Sequence, residues 1–198
     1  MKKIEDNYGT LIHSFYHSLT QSLTFILSLK RRMTNEQIAQ DLVAQFGEER
    51  IYGIVENYGL LNVTTTTETI VPLMHYLYQH PTFKFQFLTD LAGIHFPQMP
   101  SHEFGVIYHL HSLENNVRLI IKLYVTREDI AVPTLTGLYA CANWMEREAF
   151  DFYGITFTGH PRMERILNME DMDYHPMRKE YPLEDATRED KIDALFGR

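Results

Sequence analysis

Carboxylate and imidazole side chains are concentrated in the segment from Trp144 to Leu183. They are Glu146, Glu148, Asp151, His160, Asp171, Asp173 and His175. Such side chains bind metal ions and exchange protons in acid–base catalysis. Their spacing contains no pair of histidines four residues apart. A set of charges that is solvated or paired at an interface is therefore favoured, and a free-standing metal-dependent enzyme stays open as the alternative.

Other catalytic signatures are missing from the chain. It has no GxxxxGK loop, no GxGxxG turn and no GxSxG elbow, so nucleotide binding and serine hydrolase chemistry have no support. His102-Glu103 begins like a zinc-protease motif, but Val106 stands where the second histidine is needed. The single cysteine, Cys141, cannot by itself hold an iron–sulfur cluster, which commonly takes four cysteines. The net charge of -8 argues against nucleic-acid binding.

Local patterns predict how the Trp144 segment is built. Apolar residues at helical spacing from Trp144 to Tyr153 predict a short amphipathic helix, and Gly154 stands where its C-terminal cap is expected. Residues 155–157 are predicted to be extended. Three prolines at positions 161, 176 and 182 favour extended backbone for the residues before them. The segment therefore predicts a helix followed by an extended tail.

The composition of this tail suggests that it is not a free, solvated chain. It carries tyrosine, phenylalanine, isoleucine and leucine side chains, which solvated tails usually lack. An extended segment must also find partners for its backbone polar groups. Docking onto another protein is favoured over docking onto the chain's own domain.

The remaining residues predict an α+β fold with a mainly antiparallel sheet, helices packed on one side of it, and the extended C-terminal tail. The predicted helices begin at Thr34 or Asn35 and end at Phe46, span Ile70–Gln79, and open at Pro133 and Thr134 through Leu138 and Tyr139. The predicted strands are Ile51–Glu56, Leu60–Thr67, Lys84–Ile94, Phe104–His111 and Val117–Val125.

Four segments are expected along the chain. Residues 1–32 are a poorly ordered extension or an artefact of the start site, because they are too polar for a confident membrane span and lack a signal-peptide pattern. Residues 33–143 form the α+β domain, residues 144–183 form the helix and tail, and residues 184–198 form a charged C-terminal tail.

Five groups of residues carry a resemblance to a known family. They are Glu146-Arg147-Glu148, Asp151-Phe152-Tyr153-Gly154, His160-Pro161, Arg165-Ile166-Leu167 and the run from His175 to Leu183. Their order and spacing resemble the 30 kDa subunit family, the C subunits, of the proton-pumping NADH:quinone oxidoreductase, respiratory complex I. Two positions depart from that family, which usually has a basic residue at position 164 and a glycine at position 174, where this chain has Glu164 and Tyr174.

The resemblance implies a cofactor-free structural subunit of the peripheral arm of complex I, on the cytoplasmic side of a bacterial inner membrane. It implies that FMN and iron–sulfur clusters are held by partner subunits, that the complex binds NADH and quinone, and that the main partner is the large hydrogenase-like subunit of the quinone module. An equivalent subunit of a complex I-like membrane-bound hydrogenase is the alternative. No catalytic residue is expected in this chain. The residues expected at the subunit interface are Glu146, Arg147, Glu148, Asp151, His160, Arg165, His175, Arg178 and Lys179.

Overall fold

The computed structural model describes residues 34–181, so the expected N-terminal extension and charged C-terminal tail lie outside the described residues. The helices are α1 (Asn35–Phe46), α2 (Ile70–Gln79) and α3 (Ala142–Tyr153). The strands are β1 (Ile51–Asn57), β2 (Leu60–Thr65), β3 (Phe87–His95), β4 (Phe104–Ser112), β5 (Val117–Val125), β6 (Ala131–Pro133) and β7 (Thr156–Thr158). A short 3-10 helix, Pro100–His102, precedes β4. No helix in the described part is long and apolar enough to cross a membrane.

Five strands form one sheet in the order β1-β2-β5-β4-β3. The pairs β1–β2, β3–β4 and β4–β5 are antiparallel, whereas β2 and β5 run parallel. Along the chain, α2, β3 and β4 lie between β2 and β5. The parallel β2–β5 pair joins two antiparallel units, β1–β2 and β3–β4–β5, in the middle of the sheet. The predicted mainly antiparallel α+β fold is confirmed.

Buried and exposed residues alternate along the strands, so the two faces of the sheet differ in burial. On β5 the buried residues alternate with partly exposed ones along the whole strand, the period of two that a strand with one core face requires. Ile38 and Leu42 of α1 and Leu73 of α2 are fully buried. The three helices pack on one side of the sheet, as predicted.

The β6–β7 pair corrects the predicted start of the third helix. Pro133 does not open a helix, because residues 131–133 form a short strand whose Val132 lies opposite Phe157 of β7. Both side chains are buried, and their pairing holds residues 131–133 in an extended conformation. The helix begins instead at Ala142 and ends, as predicted, at a left-handed Gly154 with φ 76°.

Candidate functional site

The described part of the tail, residues 160–181, runs along α3 and stays in contact with it. His160 donates its Nε2–H to the carbonyl of Asn143 at 3.1 Å. One turn further along α3, Arg147 donates to the carbonyls of Glu164 and Arg165 at 3.1 and 3.0 Å. The described tail therefore binds its own helix, which was the less favoured of the two alternatives, and docking onto another protein stays a prediction.

Asp151 is the central acceptor beneath the tail. Its Oδ2 accepts hydrogen bonds from the backbone N–H groups of residues 166, 167 and 168 at 3.0, 2.8 and 2.9 Å. Its Oδ1 accepts from Asn168 at 3.0 Å and from Arg165 at 2.7 Å. Three consecutive N–H groups on one carboxylate oxygen give the tail a sharp turn at this point, so a side chain on α3 determines the path of the backbone.

Arg165 uses the rest of its guanidinium to close the loop that follows. Besides Asp151 it donates to the carbonyls of Met172 and Tyr174 at 2.7 and 2.9 Å. The side chain of Arg165 is 10% exposed and that of Asp151 is 0% exposed. A planar guanidinium with several donors suits this task, since it satisfies a carboxylate and two carbonyls together. This loop is part of the described tail. We call the whole described tail, residues 160–181, held in this way to α3, the strap.

The hydrogen bonds around Asp151 decide its charge. Burial by itself raises the pKa of this carboxyl, but the bonds from the backbone of residues 167 and 168 and from the Asn168 and Arg165 side chains lower the pKa well below its ordinary value of 3.8. Asp151 is therefore ionised at neutral pH. The resulting buried ion pair with Arg165 connects α3 to the tail.

Glu146, five residues earlier on α3, holds a different segment. Its Oε1 accepts from the backbone N–H of Leu135 at 2.7 Å, and its Oε2 accepts from the hydroxyl of Thr134 at 2.6 Å. The residue is fully buried, and no ion pair with a described cation offsets that burial, so burial raises its pKa to about 7 against the opposing effect of these two bonds. Glu146 thus holds the loop between β6 and α3.

The helix cap at Gly154 is the place where the tail returns to α3. His175 donates its Nδ1–H to the carbonyl of Asp151 at 3.0 Å, and Arg178 donates to the carbonyl of Tyr153 at 2.8 Å. A Cβ atom at Gly154 would clash with Arg178 Nη2 and lie 2.7 Å from the His175 ring. Glycine is needed here both for its positive φ and for this close approach.

The end of the described tail crosses the edge of the sheet. Lys179 donates its backbone N–H to Nδ1 of His95, the last residue of β3, at 2.9 Å. Nδ1 therefore acts as an acceptor, and Nε2 of His95 donates to Glu103 at 3.1 Å. Arg127 joins Glu103 at 2.6 Å to Glu180 of the tail at 2.9 Å. The tail is thus tied at both the helix and the sheet.

The residues expected at a subunit interface fall into two groups. Glu146 and Asp151 are fully buried and bonded within the chain, so both have internal roles here, and their place at a subunit interface stays a prediction. The seven others are exposed or partly exposed: Arg147, Glu148, His160, Arg165, His175, Arg178 and Lys179. Of these, Arg165, His175 and Arg178 are largely occupied by the contacts described above.

Sequence reasoning missed the residues that complete the strap. Asn168 of the tail bonds to Asp151, His95 and Arg127 bond to the tail, and Glu103 bonds to both His95 and Arg127, yet none of them lies in a complete local motif. Glu103 stands only in an incomplete zinc-protease pattern. Their roles depend on contacts between residues far apart in sequence, for which a single sequence carries no signal.

Both departures from the family pattern have a simple local setting. The backbone carbonyl of Glu164 accepts a hydrogen bond from Arg147. The Glu164 side chain forms an ion pair at 2.7 Å with exposed Arg162, so the charge of Glu164 does not hold the tail to α3. Tyr174 does not have a positive φ, so its backbone makes no demand for glycine. Its ring contacts that of Tyr181, with centroids 5.0 Å apart.

Within residues 34–181, no group of three or more His, Cys, Asp and Glu side chains is arranged to hold a metal ion. The acidic and imidazole residues noted in the sequence are instead dispersed along α3 and the strap. An α+β sheet domain strapped by its own C-terminal tail is the class of protein that these features define.

Comparison with known proteins identifies the family. Residues 63–187 match the family described as the respiratory-chain NADH dehydrogenase, 30 Kd subunit. This stretch includes β3 to β5, α3 and the whole described tail. The chain belongs to the 30 Kd subunit family of respiratory-chain NADH dehydrogenase.

Individual relatives agree with this assignment. The C subunit of NADH-quinone oxidoreductase from Rhizobium rhizogenes (strain K84) is 45% identical over 125 residues, which cover 63% of this chain and 62% of that protein. The C 2 subunit of the same enzyme from Rhizobium meliloti (strain 1021) is 41% identical over 147 residues, covering 72% of this chain and 76% of that protein. The matched stretch thus spans less than two thirds of the R. rhizogenes protein.

Two solved structures resemble the described fold. The trypsin-resistant fragment (1-134) of Nqo5 aligns with a TM-score of 0.56 and 32% identity, covering 66% of this chain and 99% of the fragment. A chain of the archaeal membrane-bound sulfane sulfur reductase, a respiratory membrane complex, aligns with a TM-score of 0.63, covering 75% of this chain and 85% of that chain. At 22% identity, the second likeness concerns the fold alone.

Proposed function

We propose that this chain is a cofactor-free structural subunit of the peripheral arm of a proton-pumping NADH:quinone oxidoreductase. In this role it supports the quinone-reducing module while electrons pass from NADH, through FMN and iron–sulfur clusters held by partner subunits, to quinone. The observation that carries the proposal is the family match over residues 63–187, because it includes most of the sheet domain and the whole described tail. The complex would place the chain at the cytoplasmic face of the bacterial inner membrane.

The surface of the strap supports a role in assembly. Three large apolar side chains are exposed on the strap and next to it on α3, with Leu167 at 64%, Met169 at 67% and Trp144 at 62%. Arg147 lies over the Trp144 ring, 5.2 Å from its centroid, and donates to two carbonyls of the tail, so it connects Trp144 to the strap. Large exposed apolar side chains are typical of a protein contact surface, and we assign the surface that carries these three to the large hydrogenase-like subunit.

The internal bonds of the tail give its exposed side chains a defined position. Asp151 and Arg165 hold the backbone on either side of Leu167 and Met169. A contact surface that is ordered before binding loses less conformational entropy on association. Buried Asp151 would therefore contribute to assembly indirectly, through the shape of the strap.

Purification from the native host tests the proposal. The full chain carries a C-terminal tag, membranes are extracted with mild detergent, and co-purifying subunits are identified while NADH-dependent quinone reduction is assayed. We expect flavin and iron–sulfur subunits together with that activity. Recovery with a hydrogen-oxidising complex lacking NADH activity would favour the membrane-bound hydrogenase alternative. Recovery as a lone protein that binds zinc, manganese or iron tightly would favour the metal-enzyme alternative.

A further inference from the structure

The sheet face opposite the helices is partly exposed, and its residues differ in composition from those of the buried face. Residues directly paired across neighbouring strands point to the same side of a sheet, so the strand register defines its members. One row across the sheet is Tyr52, Thr64, Lys122, Ile107 and Ala92, and the next is Val55, Asn62, Ile120, His109 and Asp90. We call this surface the open face.

Cations on the open face have no ionic partner within the described chain. Lys122 lies in the first of these rows, and Arg118 lies four residues earlier on the same side of β5. Neither forms an ion pair with any described carboxylate. His109 and His111 of β4 lie opposite Ile120 and Arg118. The open face is therefore cationic on a chain whose net charge is -8, with Asp90 adding one carboxylate at the β3 margin.

An apolar groove adjoins one end of this face. It has a volume of about 1020 Å³ and is lined by His95, Phe96, Pro97, Gln98, Met99, Ser101, His102, Tyr124 and Lys179. Phe96 is 42% exposed and Met99 is 56% exposed. Side chains of Tyr124 and Ile94 both reach over Gly105, where a Cβ would lie 2.9 and 3.0 Å from them. The groove thus continues into the open face through Tyr124.

We propose that the open face binds an acidic segment of another subunit of the complex, which places an apolar side chain in the groove beside Tyr124 and carboxylates opposite Lys122 and Arg118. This inference rests on the proposed function and adds a second contact surface to it, on the side of the sheet away from α3. Charge complementarity identifies the occupant, because the two unpaired cations need anions that the described part of this chain does not supply. The aliphatic side chains between them suit a protein surface better than a phosphate backbone, which needs many clustered cations.

The strand spacing sets where the partner's carboxylates must lie. Lys122 is two residues and Arg118 six residues from Tyr124 along β5, which at about 3.3 Å per residue gives distances of roughly 7 and 20 Å. A partner segment that reaches from the groove along β5 would meet both cations. One carboxylate near the apolar anchor and a second further along the segment are therefore expected.

Charge reversal on the full chain in its native host tests this surface. In the Arg118→Glu/Lys122→Glu variant, we expect recovery of partner subunits per tagged chain to fall by about tenfold. The matched Arg118→Lys/Lys122→Arg variant keeps the charge and is expected to keep recovery within about twofold. Circular dichroism and thermal unfolding of the purified variants establish that both remain folded.

The possible outcomes separate this inference from the proposed function. Wild-type recovery by the folded reversed variant would overturn the open-face proposal and leave the subunit assignment intact. Failure of the unaltered chain to recover flavin and iron–sulfur subunits would instead overturn the proposed function, and this inference with it.

A photo-crosslinker identifies the occupant directly. p-Benzoylphenylalanine in place of Ile120, between the two cations, is expected to crosslink to an Asp- or Glu-containing peptide of a co-purifying subunit. The same group in place of exposed Glu36 on α1 serves as the control and is expected not to label that peptide. Crosslinks to this chain itself, to a second copy or to nucleic acid would overturn the assignment of the occupant.

Discussion

Two carboxylates five residues apart on α3 show how surroundings divide similar side chains into different roles. Asp151 accepts three backbone N–H groups and faces Arg165, and it is ionised. Glu146 has two hydrogen bonds and no ion pair with a described cation, so burial brings its pKa to about 7. Both are buried, and the number and charge of their donors make the difference.

Removal of the Asp151 charge is predicted to destabilise the folded chain. Asp151→Asn leaves the largely buried Arg165 without its anion and replaces an acceptor oxygen that serves three N–H groups. The expected loss in the free energy of unfolding is about 3 kcal/mol, measured by urea denaturation at pH 7. Exposed Asp173→Asn removes the same charge nearby and is expected to change stability by less than about 0.5 kcal/mol. Equal effects of the two substitutions would contradict the role of Asp151.

The two acids also predict opposite contributions to the pH dependence of stability. The folded pKa of Asp151 is lowered, so its contribution is present above the unfolded pKa, near 3.8, and is lost as the pH falls towards the folded value. The folded pKa of Glu146 is raised from 4.5 to about 7. The folded chain then binds more protons than the unfolded chain between these values, so the contribution of Glu146 declines as the pH rises from 4.5 through 7.

Glu146→Gln is predicted to remove that decline. The amide can still accept from Leu135 N–H and donate to the Thr134 hydroxyl, so the loop stays in place without a buried charge. Thermal unfolding between about pH 5 and 8 is expected to show a flatter profile for the variant, with stability at about pH 8 equal to or above that of the unaltered chain. A profile with unchanged slope would exclude Glu146 as the source of the dependence.

At the scale of elements, the end of α3 is the junction between the sheet domain and the tail. Gly154 ends the helix in the left-handed conformation, and His175 and Arg178 lie directly against it. A helix cap that also receives the returning chain explains why a glycine, two donor side chains and the carbonyls of α3 occur together. The Gly154 cap therefore serves both the helix and the strap.

Alanine substitution separates these two demands. Gly154→Ala combines an unfavourable positive φ, costing about 1–2 kcal/mol, with a clash against the tail that adds about 1 kcal/mol or more. Gly47 has φ +85° and open space around its Cα, so Gly47→Ala is expected to show the first cost alone. Hydrogen exchange of residues 174–178 is expected to increase only in the Gly154 variant. Equal exchange in both variants would show that the tail does not depend on this approach.

At the scale of the whole molecule, the described domain presents two separate surfaces. The strap lies along α3 with Trp144 and Leu167 exposed, and the open face lies on the opposite side of the sheet from the helices. Contacts on both sides would allow this chain to connect partners across its own domain.

Assembly is predicted to depend more on the contacts that hold the strap to α3 than on the charge of an exposed side chain in the strap. Arg165→Glu places a carboxylate against Asp151 and releases the loop at Met172 and Tyr174, so partner recovery in the tagged purification is expected to fall at least about tenfold. Arg162→Glu is the matched control, because Arg162 is 71% exposed and pairs only with Glu164 among the described residues. An Arg165 variant with intact assembly but lost quinone reduction would contradict a structural role and indicate a catalytic one.

The sequence by itself determined the local elements and the family. Periodicity and capping residues placed α1, α2 and most of α3 because these features involve neighbours within a few residues. The resemblance in residues 144–183, confirmed by the family match over residues 63–187, depends on residue order alone. Fold class and family were therefore available before any coordinates.

Only the tertiary structure decided which of the recognised residues face inward and where the tail lies. Lys179 and His95 are 84 positions apart, and β2 pairs with β5 across an intervening helix and two strands. Pro133 looked like a helix start, yet pairing of Val132 with Phe157 made it the end of a strand. Such outcomes depend on which distant surfaces fit together and bury apolar area, a property of the packed chain that no local pattern contains.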